Sequence, residues 1–302
     1  MTPDPGPGEV TGYFTSLSNW GRWGTQDQRG TLNLIDGAKR SRAAALIRQG
    51  TVVSCSRVLS ASAPGSGVLH FMTASGDGAA HGAGGATDWF ATPIHGPTTH
   101  VDALSHVFWD GRVYNGASAG EITTTGARVG SVELLADGIV SRGILLDIPR
   151  AQGRTWLEPG EPIRPGDLDS CAQAQGITVL PGDVVLVRTG HDRHREADTA
   201  LEASTDAPGL HAGCLPWLHE SGIAALGSDA ANDVLPSGYA GFALPIHTVG
   251  MVAMGLWLID KLWLEDLATA CATAGRWEFF FVAAPLRLKR ATGSPVNPLA
   301  VF

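Results

Sequence analysis

The sequence predicts an α/β protein built on one mixed sheet with flanking helices, and three observations predict it. Short apolar runs bounded by Gly and Pro recur as buried strands do, for example RGILLDI (142 to 148) and PGDVVLVRTG (181 to 190). Helical segments lie between such runs irregularly, without the steady βαβ beat of a doubly wound sheet. The 39 glycines and 18 prolines among 302 residues call for many turns joining short elements.

Taken in order, residues 1 to 12 hold three prolines and three glycines and are expected as a loose arm, with 1–18 preceding a single domain over 19–302. NWGRWGTQDQRGTLNLI follows, where Trp20 and Trp23 are read as packing rather than ligand contact. A helix is expected over Ser41 to Gln49, and a β-branched strand over 51 to 59. Ala61 to Thr87 is dominated by Gly, Ala and Ser around a short VLHFM and reads as a surface excursion, a lid or loop. A helix beginning near Asp167 separates the two strands named above. Leu215 to Ser221 reads as a short helix, 223 to 229 as a strand, Leu264 to Ala274 as a helix stopped by Gly275, and WEFFFVAAPLRL as the closing strand.

Composition excludes several function classes. With 44% hydrophobic and 17% charged residues the chain supports a sizeable core and is not a disordered polyelectrolyte. Twenty-one basic against 29 acidic residues give a formal charge of -8, which repels a phosphate backbone and anionic lipid, so neither nucleic acid nor membrane is expected as a partner. Cys55, Cys171, Cys214 and Cys271 are far apart with no CxxC pair, which suits reduced thiols in a cytoplasm. No signal-peptide pattern opens the chain and no apolar run approaches a membrane span.

Chemistry concentrates in HGPTTHVDALSHVFWDG, which carries His95, His100, Asp102, His106 and Asp110. In an extended segment residues two apart share a face, so His100 and Asp102 can grip one cation. Imidazole and carboxylate together supply the N and O donors a divalent ion prefers, while a further His remains to move protons. By contrast, His191 and His194 in GHDRHRE read as a solvated turn.

With these residues in view, the sequence resembles the cyclase family of metal-dependent hydrolases, which includes bacterial kynurenine formamidases and isatin hydrolases. THVDALSH matches the second half of the family motif HxGTHxDxxxH residue for residue. NWGRWGTQDQRGTLNLI, VLVRTG, PIHTVGMVAMG, GRWEFFFVAAPLRL and TGSPVNPLAV resemble the longer branch of the family, so the likeness runs from Asn19 to the last residue. The resemblance implies His100 and Asp102 as metal ligands and His106 as the catalytic acid or base. It implies a swivelling β/β/α cyclase-type domain, a homodimer or homotetramer, and a zinc or manganese ion as cofactor. It also implies a small ring-containing substrate cleaved at an amide, cyclic amide or lactone bond. Trp89, Phe90, Phe108 and Trp109 supply aromatic surface near the motif, with Trp89, Phe90, Trp109 and Asp229 as candidate substrate contacts; Asp229 follows an apolar strand in GSDAAND.

Two departures from the family pattern stand out. Its first ligand belongs at position 96, which is Gly96, and its glycine at position 98, which is Thr98; His95 lies one residue too early. Pro97 forbids a regular ladder there, and a one-residue bulge could bring His95 round to the ion. The later pair, His and Glu in the family, maps to His247 and Asp260. One continuous helix would hold these two well apart, so Gly255 is expected to break it, with a short helix to Met254 and an extended LWLID returning both ends to the site. A relative using His106 and Asp102 without metal, as a cyclase, dehydratase or isomerase, is the alternative reading, and a non-catalytic binder the third.

Overall fold

The computed structural model describes residues 4–62, 65–77, 82–198, 201 and 205–302. The expected excursion over 61–87 therefore lies partly outside the described residues, as does the start of the arm. Eleven strands frame the description: β1 (Val52–Ser54), β2 (Leu69–Ala74), β3 (Thr87–Ala91), β4 (His100–Asp102), β5 (Ile139–Asp147), β6 (Val184–Arg188), β7 (Ala225–Ser228), β8 (Trp257–Asp260), β9 (Glu278–Ala283), β10 (Gly293–Pro295) and β11 (Leu299–Val301). Nine of them form one mixed sheet in the order β1-β11-β9-β5-β6-β7-β8-β4-β10.

The middle of this sheet, β5-β6-β7-β8, is parallel, and the strands on either side run antiparallel. Parallel strands are covered on both faces, which explains why β6, β7 and β8 are buried at every position and read as apolar runs up to their last residues, Arg188, Ser228 and Asp260. A local βαβ beat is thus present where none was expected. It is hidden because its crossovers are unequal: α3 (Pro165–Ala174) joins β5 to β6, α4 (His191–Ala197) and α5 (Cys214–Ser221) join β6 to β7, and only the short α6 (Pro245–Val249) stands between β7 and β8.

The other helices of eight residues or more are α1 (Pro7–Ser16), α2 (Gly37–Ala44) and α7 (Glu265–Ala274). In place of a loose arm, α1 starts with Pro7 at its first turn, where a missing N–H costs nothing, and buries Val10 and Tyr13. Helix α2 begins four residues earlier than expected because Asp36 caps it, accepting from Lys39 N at 2.6 Å. The strand expected over 51–59 is confined to 52–54. Gly275 ends α7 in the left-handed conformation, as the sequence predicts. No helix among the described residues is long and apolar enough to cross a membrane.

The hinge between His247 and Asp260 follows the expected pattern. Helix α6 runs on as a π-helical turn over 250–254, Gly255 reverses the chain at φ 66°, and β8 begins at Trp257. A helix end leaves carbonyls without partners, and the stretch from Asn19 to Thr31 satisfies them. Asn19 Nδ2 donates to Met254 O (2.8 Å), Trp20 Nε1 to Val252 O (2.7 Å) and Thr31 N to Gly255 O (2.9 Å). Trp20 therefore clasps the element that carries His247, a packing role.

Candidate metal centre

The carboxyl ends of the parallel strands carry a row of charged residues: Asp147 ends β5, Arg188 ends β6, Asp229 follows β7 and Asp260 ends β8. Open α/β sheets bind ligands at the carboxyl ends of their strands. Next to β8 lies the antiparallel β4, whose register sets Asp260 opposite His100 and Leu258 opposite Asp102. His100 and Asp102, two apart on β4, share one face.

Each imidazole is oriented through its other nitrogen. His100 Nδ1 donates to Thr98 O at 2.7 Å, which turns Nε2 toward the cluster, 3.4 Å from Asp102 Oδ1. His247 Nδ1 bonds Asp233 Oδ2 at 2.6 Å, and its Nε2 lies 3.4 Å from both Asp102 Oδ2 and Asp260 Oδ2. Asp260 is steadied by Asn232 Nδ2, 2.5 Å from Oδ1. All four side chains are buried. Asp102 Oδ2 is buried with no hydrogen-bond partner, a costly state for a carboxylate oxygen.

This donor set fits a divalent ion. Ligands about 2.1 Å from a tetrahedral centre stand about 3.4 Å from each other, the spacing of three donor pairs here. His100, Asp102 and Asp260 converge as one candidate ligand group, and His95, Asp102 and His106 as a second sharing Asp102.

His95 reaches the cluster despite its displaced register. Bends over 94–98 carry it round, so that Nδ1 lies 2.8 Å from Asp102 Oδ1 and Nε2 2.9 Å from Thr292 Oγ1. Its ring stacks on His106 at 3.5 Å and meets His100 edge-on at 5.5 Å. Space for it comes from Gly293, opposite Asp102 on β10, where a Cβ would stand 2.9 Å from the His95 ring.

The local field follows from this crowding. Burial alone would raise the Asp102 carboxyl, but the His247 imidazole 3.4 Å away, the hydrogen bond with His95 and the charge of His100 hold it well below the usual carboxylate range. Burial would lower His247, yet Asp260, Asp102 and Asp233 outweigh it and raise the imidazole well above its ordinary value. Burial pushes His106 down to about 4 against the pull of Asp102, with His95, His247 and His100 adding to the drop. His106 is therefore a neutral imidazole at pH 7, half-buried at the edge of the cluster.

The remaining sequence candidates lie elsewhere. Asp229 is buried and turned to the residues after β6, accepting from Thr189 N (2.9 Å), Thr189 Oγ1 (2.8 Å) and Gly190 N (2.8 Å), so its carboxylate braces a turn. Trp109 joins a trio of near-parallel rings with Phe14 (5.1 Å) and Phe242 (4.6 Å). Trp89 and Phe90 sit on β3, which among the described residues pairs only with β2, and are 48% and 53% exposed on this hairpin. GHDRHRE is not a solvated turn: it forms α4, with His191 buried and His194 stacked on Trp156 at 4.6 Å. Sequence reasoning passed over Asn232 and Asp233. Their one signal is their place just beyond the GSD that ends an apolar strand.

A family model described as "Putative cyclase" matches residues 39–232. Comparison with curated proteins returned no match. Among solved structures, one described as a novel cyclase shares 32% identity with a TM-score of 0.88, over 96% of this chain and 99% of that one. Isatin hydrolase A from Labrenzia aggregata, bound to benzyl benzoate, is 21% identical with a TM-score of 0.62, over 85% of this chain and 94% of that one. A "predicted metal-dependent hydrolase" from Bacillus stearothermophilus is 16% identical with a TM-score of 0.52, over 84% and 98%. These last two are likenesses of fold. With its HVD strand, its downstream His247 and Asp260 and this extent of match, the chain belongs to the cyclase family.

Proposed function

We propose that the protein is a metal-dependent hydrolase that cleaves an amide, cyclic amide or lactone bond in a small ring-containing substrate. The observation that carries this reading is the convergence of His100, Asp102, His247 and Asp260 around the unpartnered Asp102 Oδ2. These four residues would hold a zinc or manganese ion, with His95 beside them, and the ion would supply Lewis acidity toward the carbonyl and toward water.

The chain's own residues supply the rest. Hydrolysis adds water across a C–N or C–O bond, so a proton must leave the attacking water and another must reach the departing atom. We assign that transfer to His106, a reading supported by its ring, which is neutral and stacked on His95 outside the four-residue cluster. Asp233 keeps His247 Nε2 pointed at the centre, and the Thr98 carbonyl does the same for His100. The likeness in fold to enzymes named isatin hydrolases agrees with a hydrolase. We place the protein in the cytoplasm as a homodimer or homotetramer, a reading supported by four unpaired buried cysteines and by the apolar residues exposed on the β2–β3 hairpin.

The test is a panel of cyclic amides, N-acyl arylamines and aromatic lactones offered to chelator-treated protein with and without added Zn or Mn. Ring opening or deacylation that depends on the metal and disappears in Asp102→Ala supports the reading. Equal turnover with and without metal would shift it to acid and base chemistry by His106.

A further inference from the structure

Position 96, where the family pattern puts an imidazole, is glycine, and the adjacent His95 has both ring nitrogens engaged. Nδ1 lies 2.8 Å from Asp102 Oδ1 and Nε2 2.9 Å from Thr292 Oγ1. An ionised carboxylate only accepts, so Nδ1 carries the ring proton, and the lone pair on Nε2 accepts from the Thr292 hydroxyl. In this tautomer His95 has no free lone pair for an ion. The 2.8 Å contact is itself a hydrogen-bond length, shorter than the 3.4 Å that separates three donor pairs among His100, Asp102, His247 and Asp260.

Ring stacking closes the other route to coordination. An imidazole lone pair lies in the plane of its ring. The rings of His95 and His106 are 3.5 Å apart and parallel to within 9°, so their planes do not meet near either ring, and one ion cannot take a lone pair from both. Although His95, Asp102 and His106 lie close enough together to suggest a ligand group, recruiting His95 to it would break its bond to Asp102 or to Thr292.

Asp102 shows the matching asymmetry. Its Oδ1 holds the hydrogen bond from His95, while Oδ2, 3.4 Å from His247 Nε2, is buried without one. A carboxylate can meet a cation through one oxygen or both, and a charge-assisted hydrogen bond on one of them selects which. Thr292 keeps this bond in register. It precedes Gly293, which lies opposite Asp102 on β10, and its carbonyl accepts from Ala103 N at 2.9 Å, so the residue that fixes the His95 ring is tied to the strand end that carries Asp102.

We propose that His95 is the positioning residue of Asp102 rather than a ligand: its Nδ1–H holds Oδ1, so that Oδ2 alone meets the ion, and Thr292 Oγ1 fixes the ring. The cation would be held by His100, Asp102, His247 and Asp260, with the displaced histidine one bond further out, where such partners orient a ligand and tune its affinity. The proposal rests on the metal reading above and adds to it which oxygen of Asp102 faces the centre.

Full-length protein with isotope-labelled histidine, loaded with NMR-active cadmium, provides the test. Nitrogen to cadmium coupling should appear at Nε2 of His100 and of His247 and at neither nitrogen of His95, whose Nδ1 should keep its proton in the metal-free and the loaded protein alike. Zinc affinity, measured by chelator competition, should fall by roughly 10- to 100-fold in His95→Leu, which fills the space without a donor, and by less than about threefold in His95→Asn, whose amide N–H can still reach Oδ1. Coupling at a His95 nitrogen, an unaltered His95→Leu, or a His95→Asn as weak as His95→Leu would overturn the proposal. Cadmium coupling to neither His100 nor His247 is a different failure: it would remove the metal reading, and this assignment with it.

Discussion

Asp260 and His100 stand directly opposite each other on adjacent antiparallel strands, although 160 positions separate them in the chain. This pairing turns two distant segments into one site. Strand β4 brings His100 and Asp102, and β8 brings Asp260 together with the helix end that positions His247. The site lies where the parallel sheet meets its first antiparallel neighbour, so the fold places it and the hydrogen bonds of Thr98, Asn232 and Asp233 orient it.

Ligand and proton shuttle should separate by mutation. His100→Ala removes a donor at the centre and should abolish metal retention. His106→Ala should keep the metal and lose turnover by roughly two to four orders of magnitude, as removal of a general acid or base does. Metal analysis and single-turnover kinetics on the same preparations decide it; equal metal loss in both would make His106 a ligand.

Asp233 acts on the centre through His247. Asp233→Asn keeps the shape but weakens the 2.6 Å bond to His247 Nδ1, so metal affinity should fall by roughly 10- to 100-fold with the ligands intact. Competitive chelator titration measures this, and an affinity within about twofold of the parent protein would mean that packing alone holds His247.

How far the sequence discloses this arrangement varies by element. The strands at the middle of the sheet are legible because a strand buried on both faces must be apolar, and ILL (144 to 146) and VVLV (184 to 187) are, although their parallel pairing is not. The break at Gly255 is legible because two ligands thirteen residues apart cannot share a site on one helix. Helix α1 is not, since the Pro and Gly that suggest a loose arm conceal a Pro at the first turn and the buried pair Val10 and Tyr13. Asp233 is invisible for a different reason: its partner lies fourteen residues on, across a loop and a helix start, and no periodicity links them. His191 looks solvated among charged sequence neighbours, yet it is buried, with Lys261 and Arg57 from distant segments acting on it.

Gly293 is the steric condition for His95. A Cβ there would stand 2.5 Å from Val101 O and 2.9 Å from both the His95 ring and Ile94. Gly293→Ala should therefore force β10 or His95 aside and cost about 1–3 kcal/mol of stability. Denaturant unfolding reads the loss. An unchanged midpoint would show that this edge of the sheet yields freely and that His95 is loosely held.

Stability should depend on pH through His191. Its ordinary value is 6.5 and burial holds it to about 3 in the fold. Between these values the unfolded chain takes up a proton that the native protein refuses, so this residue's contribution is lost as pH falls from 6.5 toward 3. Asp192, raised from 3.8 to about 6 by burial, acts in the opposite direction over part of this range. The comparison is therefore between wild type and His191→Gln, where the wild type should lose more stability on acidification than the variant. Parallel curves would place His191 in contact with water.

The central claim is that this cluster binds a divalent cation, and metal stoichiometry tests it most directly. Full-length protein purified without chelators should carry about one or two zinc or manganese ions per subunit by elemental analysis, and after stripping it should take up either ion in a titration. The Asp102→Ala variant should take up neither. A correctly folded wild-type protein that arrives without metal and binds neither ion when offered would contradict the account.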